Sequence, residues 1–364
     1  MQLEEFLSNL LTQSGVSGYE NNVASAAVEG FRGLYDEFRL DPLGNLILLK
    51  KGEEKGKKDE EKGAGGEDEP RPRVMLAAHM DEIGFVITKI EDEGGLRFSY
   101  IGGIDPRVLP GQEVVVHGKR DLMGVIGAKP PHIQDLDEAK KAVKKEDMVI
   151  DVGLTRAELE ELVSVGDTAT IYREPVVLRD EFLAAKALDD RAGVGVLFTC
   201  LQELSRVRHI ADVYCVATVQ EEVGIRGAIV GSYSIVPDVG IAVDVCHAEM
   251  PGVSEYDTVP IDKGPALGFG PHVHPRIYER LVKIAEDTGI PYQVDPSPYP
   301  GGTDAWGIQM ARDGIPTALV SIPLRYMHTS VETVCLRDVK RSGRLLARFI
   351  SGLDKDFLEG LKCF

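Results

Sequence analysis

The chain has 364 residues, 43% hydrophobic and 27% charged, enough to bury a core in one large domain or two ordinary ones. Its net charge of −18 argues against nucleic acid, which needs a Lys/Arg footprint, and disfavours an anionic membrane surface. No apolar run approaches the roughly 18 residues that cross a bilayer. The start Met1-Gln-Leu-Glu-Glu-Phe-Leu7 lacks a leader pattern, so a cytoplasmic protein is expected.

Leu3, Phe6, Leu7, Leu10 and Leu11 repeat at helical spacing. Asn21 or Asn22 is placed to cap a second helix running to about Tyr35, and Gly44-Asn-Leu-Ile-Leu-Leu-Lys50 reads as a strand. From residue 50 to 73 the composition collapses into Lys, Glu, Asp and Gly. Such a stretch buries too little apolar surface to offset its ordering entropy, so a mobile charged loop is expected.

Val74-Met-Leu-Ala-Ala78 is a continuous apolar run, the mark of a strand buried on both faces. Short β-rich runs follow at 85–90, 96–101, 113–117, 124–126, 148–152 and 168–172, punctuated by Gly and Pro. One helix opens among them, where Thr155 and Glu158 make a capping box. Beyond Arg179, helices at 190–205, 226–235, 275–288, 303–312 and 336–353 alternate with strands at 212–219, 239–245 and 316–322. The pattern predicts an α/β fold, a mixed sheet flanked by helices, with a small β-rich domain (82–176) inserted into a discontinuous one (1–81 and 177–364).

Five segments put polar residues where strands end, the usual place for ligands in open α/β sheets. In Ala78-His79-Met-Asp81-Glu82, His79 can ligate a metal while Asp81 fixes its tautomer, or His79 is simply a strand-end histidine. In Lys186-Ala-Leu-Asp189-Asp190-Arg191, Asp189 can bridge two cations or cap a helix. Glu221 and Glu222 adjoin at a strand end, where like charges repel unless a cation binds one and the other takes a proton from activated water; a solvated turn is the plain alternative. Asp244 lies inside an apolar run and needs a partner, either a salt bridge or a metal. His328 follows the last strand as a ligand or a solvated loop residue. Imidazoles and carboxylates without nearby thiolates suit zinc, cobalt or manganese. Cys200, Cys215, Cys246, Cys335 and Cys363 are scattered and odd in number, as free thiols in reducing surroundings would be.

Together these segments resemble the tetrahedral aminopeptidases, di-metal exopeptidases also named glutamyl aminopeptidases or, historically, endoglucanases. The resemblance runs through Ser14-Gly-Val-Ser-Gly-Tyr-Glu20, His79-Met-Asp81-Glu-Ile-Gly84, Lys129-Pro-Pro-His132, Ala187-Leu-Asp189-Asp190-Arg191, Gln220-Glu221-Glu222-Val-Gly224, Gly301-Gly-Thr-Asp304 and His328-Thr-Ser330. It implies that Asp189 bridges two divalent metals, with His79 and Asp244 completing one site and Glu222 and His328 the other. Glu221 is then the general base and Asp81 the residue orienting His79. The inserted domain would dimerise, and dimers would assemble into a hollow homododecamer acting on peptides.

Trp306, the only tryptophan, stands where a smaller residue is expected. It either fills the substrate pocket, favouring small N-terminal residues, or belongs to the core. His132 either reaches a neighbouring subunit or supports its own loop. A di-zinc carboxypeptidase, dipeptidase or deacylase of the same superfamily is the nearest rival. Family analogy implies that its second domain follows the later ligands, whereas here about a hundred residues intervene between His79 and Asp189. A glycosidase using Glu221 and Glu222 is disfavoured because adjacent strand residues point to opposite faces. A metal-binding scaffold without catalysis is the remaining reading.

Overall fold

The computed structural model describes residues 1–53, 70–134, 141–299 and 301–361. Most of the charged stretch expected as a mobile loop, residues 54–69, lies outside the described residues, as does Cys363. Helix α1 (Leu3–Leu11) buries the whole predicted apolar stripe, and Phe6 stacks on Phe198 with ring centroids 4.2 Å apart. Helix α2 (Asn21–Gly30) stops short of Tyr35. Phe31 turns inward to meet Phe6 edge-on, and a Cβ at Gly30 would lie 2.4 Å from the Phe6 ring. Neither asparagine caps this helix. Glu20 precedes it, and its carboxylate accepts from the N–H groups of Gly18 and Gln220 instead.

Two strands rather than one complete the first fifty residues. β1 (Glu37–Leu40) and β2 (Leu46–Lys50) form an antiparallel hairpin, turned by Asp41, which accepts from the N–H groups of Leu43, Gly44 and Asn45. All four β1 residues are exposed, so no buried alternation marks the strand in sequence. β3 (Arg73–His79) is buried on both faces, as its apolar run predicts.

The β-rich segment closes into an antiparallel barrel. Its strands are β4 (Gly84–Ile90), β5 (Leu96–Ile101), β6 (Glu113–His117), β7 (Asp121–Ala128), β8 (Met148–Asp151) and β9 (Thr168–Ile171), in the order β4-β5-β8-β7-β6-β9. The barrel has its own core, including Phe85, Phe98, Val114 and Ile150. Helix α3 (Arg156–Leu162) packs near β4 and opens with the expected Thr155–Glu158 capping box.

The rest of the chain returns to the first sheet. In order come β10 (Val176–Val177), β11 (Phe182–Ala185), α4 (Leu188–Leu204), β12 (Asp212–Thr218), α5 (Arg226–Ile235) and β13 (Val239–His247). Then follow β14 (Ala266–Phe269), α6 (Pro275–Thr288), β15 (Gln293–Pro296), α7 (Asp304–Gln309), β16 (Thr317–Arg325), β17 (Glu332–Cys335), α8 (Leu336–Ser351) and α9 (Lys355–Glu359). The sheet has 11 strands, with the path β1-β2-β12-β3-β13-β16-β17-β11-β10 and a β14-β15 branch on β16. At its centre β12, β3, β13 and β16 run parallel, and the flanking pairs of the path are antiparallel. The fold is therefore a mixed α/β sheet flanked by helices, with a small antiparallel barrel. Among the described residues no helix is long and apolar enough to cross a membrane.

Helices α4 and α8 meet at Gly343, where a Cβ would lie 2.5 Å from Thr199 Cβ and 2.9 Å from the Val196 carbonyl. The substitution Gly343→Val is expected to cost about 1–3 kcal/mol by overpacking, outweighing the helix propensity gained. A lowered Tm at fixed protein concentration checks this; an unchanged Tm contradicts the close approach.

Candidate active site

The C-terminal ends of the four parallel strands converge. His79 ends β3 level with Thr218, which ends β12, and the chain then turns to present Glu221 and Glu222. Asp244 lies in β13 opposite Ser321 of β16. Strand β16 runs into the turn carrying His328, where Tyr326 and His328 adopt positive φ angles of 60° and 59°.

Asp189 is not the cap of α4. Its backbone is non-helical (φ −78°, ψ 105°), and the capping role falls to Asp190, which accepts from the Gly193 N–H at 3.0 Å. Asp189 is thus free to face the imidazoles. Its Oδ1 lies 3.1 Å from His79 Nε2, and its Oδ2 lies 3.3 Å from His328 Nε2. Glu222 Oε1 is 3.1 Å from His328 Nε2, and Glu221 Oε2 is 3.9 Å from His79 Nε2. An oxygen stands behind each imidazole. His328 Nδ1 donates to the Gly103 carbonyl at 2.6 Å, leaving Nε2 to face the carboxylates. His79 Nδ1 faces Asp81 Oδ1 at 3.4 Å and is buried without a hydrogen bond.

Electrostatics of the cluster are dominated by burial and like charge. Burial pushes the Glu221 carboxyl up to about 9, with Asp244, Asp304 and Glu222 adding to the effect against His79. Burial likewise lifts Asp244 and Asp190 well above the usual range. Burial opposes charge on Asp189 too, but hydrogen bonds from His328 and His79 hold it well below that range. Burial works against a charged His328 ring, yet Asp189 and Glu222 push it up to about 11. Positive charge is what this cluster lacks, and the imidazole nitrogens and carboxylate oxygens are suitable donors for cations.

Among the described residues two groups gather such atoms within 4.8 Å: His79, Asp189 and Glu222, and His79, Asp190 and Asp244. Asp190 was not singled out by sequence. One of its oxygens caps α4, and the other is buried without a partner. Asp304 and Glu332 are further buried acids beside the site that sequence reasoning left unassigned. Trp306 is 43% exposed, so the core reading of this residue does not hold. His132 lies exposed in the turn Pro131–Ile133.

Residues 63–345 match the family model described as M42 glutamyl aminopeptidase. The chain belongs to this family. It is 36% identical over 356 residues to the lysyl aminopeptidase of Pyrococcus furiosus, covering 96% of this chain and 97% of that protein. It superposes with a TM-score of 0.90 on a TET aminopeptidase from a marine sediment thaumarchaeon, 34% identical, covering 99% of each chain. The TET1 peptidase of Pyrococcus horikoshii, which can assemble into a tetrahedron or a large octahedral shell, gives a TM-score of 0.82 at 33% identity, covering 97% of this chain and 100% of that one. As an M42 aminopeptidase the chain is a hydrolase that acts as an exopeptidase.

Asp81 holds together more of this M42 site than its histidine. Its carboxylate accepts from the Ser17 hydroxyl at 2.6 Å and from the N–H groups of Glu221 and Glu222 at 3.1 and 3.2 Å. Asp81→Ala removes all these acceptors at once, and kcat on a chromogenic aminoacyl substrate is expected to fall about 10–100-fold. Ser17→Ala, which removes one donor, is expected to cost far less. An Asp81→Ala chain as active as the parent contradicts the anchoring role.

Proposed function

We propose that this aminopeptidase uses two divalent cations to hydrolyse the N-terminal peptide bond of short peptides. The observation that carries the reading is Asp189, with one carboxylate oxygen toward each imidazole. Asp189 would bridge the cations, His79 and Asp244 would complete one site, and Glu222 and His328 the other. Zinc or cobalt suits these donors best, and manganese is also compatible. When bound, the cations act as Lewis acids that polarise the scissile carbonyl and ease deprotonation of water.

The protein's own groups carry the proton. Glu221 takes it from the attacking water and delivers it to the leaving amine. Asp81 orients His79 and keeps the Glu221–Glu222 turn in register with it. The separation of Glu221 from Glu222, one toward each histidine, supports distinct duties for the pair.

Two finer elements belong to the same reading. The barrel would serve as a dimerisation module, with dimers closing into a shell like that of the P. horikoshii relative, a dodecamer in the simplest case. Trp306, half-exposed on the helix that Asp304 begins, would narrow the pocket and favour small N-terminal residues such as Gly or Ala.

Stripping the protein with a chelator should abolish cleavage of free-amine aminoacyl substrates, and zinc, cobalt or manganese should restore it, while N-acetylated controls stay intact. Full activity in the stripped protein, or cleavage of blocked substrates, would contradict the proposal. Glu221→Gln is expected to lower kcat about 10²–10⁴-fold while cation uptake persists; unchanged kcat rejects the base assignment. Trp306→Ala is expected to raise kcat/KM for bulky N-terminal residues relative to Gly, and an unaltered profile removes the selectivity role.

A further inference from the structure

Glu332 opens β17 and is buried, 2% exposed, in register with Ala185 of β11. Its carboxylate spends each oxygen on the main chain of a different segment. Oε2 accepts from the Asp189 N–H at 3.0 Å, and Oε1 accepts from the His328 N–H at 2.8 Å. These segments are distant in sequence, and each has irregular backbone at the donor: non-helical torsions at Asp189 and a positive φ at His328. Neither position is fixed by a strand ladder. His79 and Asp244, by contrast, sit within the parallel strands β3 and β13, whose ladders hold them.

We infer that Glu332 is a positioning residue that staples the Asp189 and His328 backbones, setting cation affinity in both halves of the site through the shared Asp189 and most strongly in the half that also contains His328. The inference rests on the two-cation reading above. A buried carboxylate is costly unless its oxygens are satisfied. Satisfying both with N–H groups from separate segments fixes the distance between those segments. Lys186 adds favourable positive charge nearby. The first half of the site depends on ladders, and the Glu222 turn depends on Asp81. The His328 turn has the Gly103 carbonyl behind its ring and Glu332 beneath its backbone. Losing Glu332 therefore loosens the Glu222–His328 half before the His79–Asp244 half.

The test is titration of the chelator-stripped full chain with Co²⁺, followed by calorimetry and by the visible absorption of the bound ion. The parent chain should take up two equivalents; uptake of fewer contradicts the two-cation reading itself, and the inference falls with it. Glu332→Gln presents one oxygen and one NH₂, so one backbone N–H loses its acceptor. The second equivalent should then bind about 10–100-fold more weakly, and the first, which keeps the ladder-held His79 and Asp244, should weaken by clearly less. Glu332→Asp, which keeps the charge but withdraws it, should show the same uneven loss in smaller degree. In a His328→Ala background, Glu332→Gln should add less loss at the second site than it does in the parent, since part of its effect runs through His328. Equal weakening of both equivalents, or of neither, overturns the inference. So does failure of both Glu332 variants to fold, which would assign the residue to the fold alone.

Discussion

Crowded negative charge governs this molecule. Asp189, Asp190, Glu221, Glu222 and Asp244 meet at one edge of the sheet, with His79 and His328 facing them. Two like charges about 4 Å apart repel by roughly 4 kcal/mol at the effective dielectric of a protein surface, and burial adds desolvation. A chain free to relax would splay these side chains into water. Here the parallel core β12-β3-β13-β16 prevents it by fixing the strand ends side by side.

Where the ladders stop, buried polar groups take over. Asp81 gathers the N–H groups of Glu221 and Glu222 and the Ser17 hydroxyl. Asn45 reaches from the β1–β2 hairpin to accept from the Val219 N–H and donate to the Gly227 carbonyl, spanning the same turn. Glu82, fully buried, is neutralised by Lys186 and Arg191, and Arg191 also donates to the carbonyls of Leu10, Gln13 and Met80. The barrel takes part as well. Gly103, in the loop after β5, supplies the carbonyl that sets the His328 tautomer, and Thr170 of β9 meets Ser14 at 3.1 Å. A charge-dense site is thus held from both modules.

Much of this was legible because long elements carry a period. The α1 stripe, the apolar run of β3, the Thr155–Glu158 box and the helix–strand alternation after Arg179 all appear in the structure. The strands β10, β11, β14, β15 and β17 were not anticipated; each is four residues or fewer, too short for alternation to register. Helix α7 ends at Gln309 rather than near Arg312, and Arg312 itself adopts a positive φ. His79, Asp189, Glu221, Glu222, Asp244 and His328 could be singled out because each follows or interrupts a readable strand or helix start. Glu332 and Asp304 could not, since their contacts are with backbone and hydroxyl groups that only the tertiary fold brings near.

The central claim is that the Asp189 carboxylate, with one oxygen toward each histidine, is the shared element of two cation sites. Anomalous diffraction from crystals soaked in zinc or cobalt tests it most directly. The account predicts two peaks, one on each oxygen of Asp189, the first beside His79 and Asp244 and the second beside Glu222 and His328. A single peak, or a second one reached through Asp190 in place of Asp189, would contradict it.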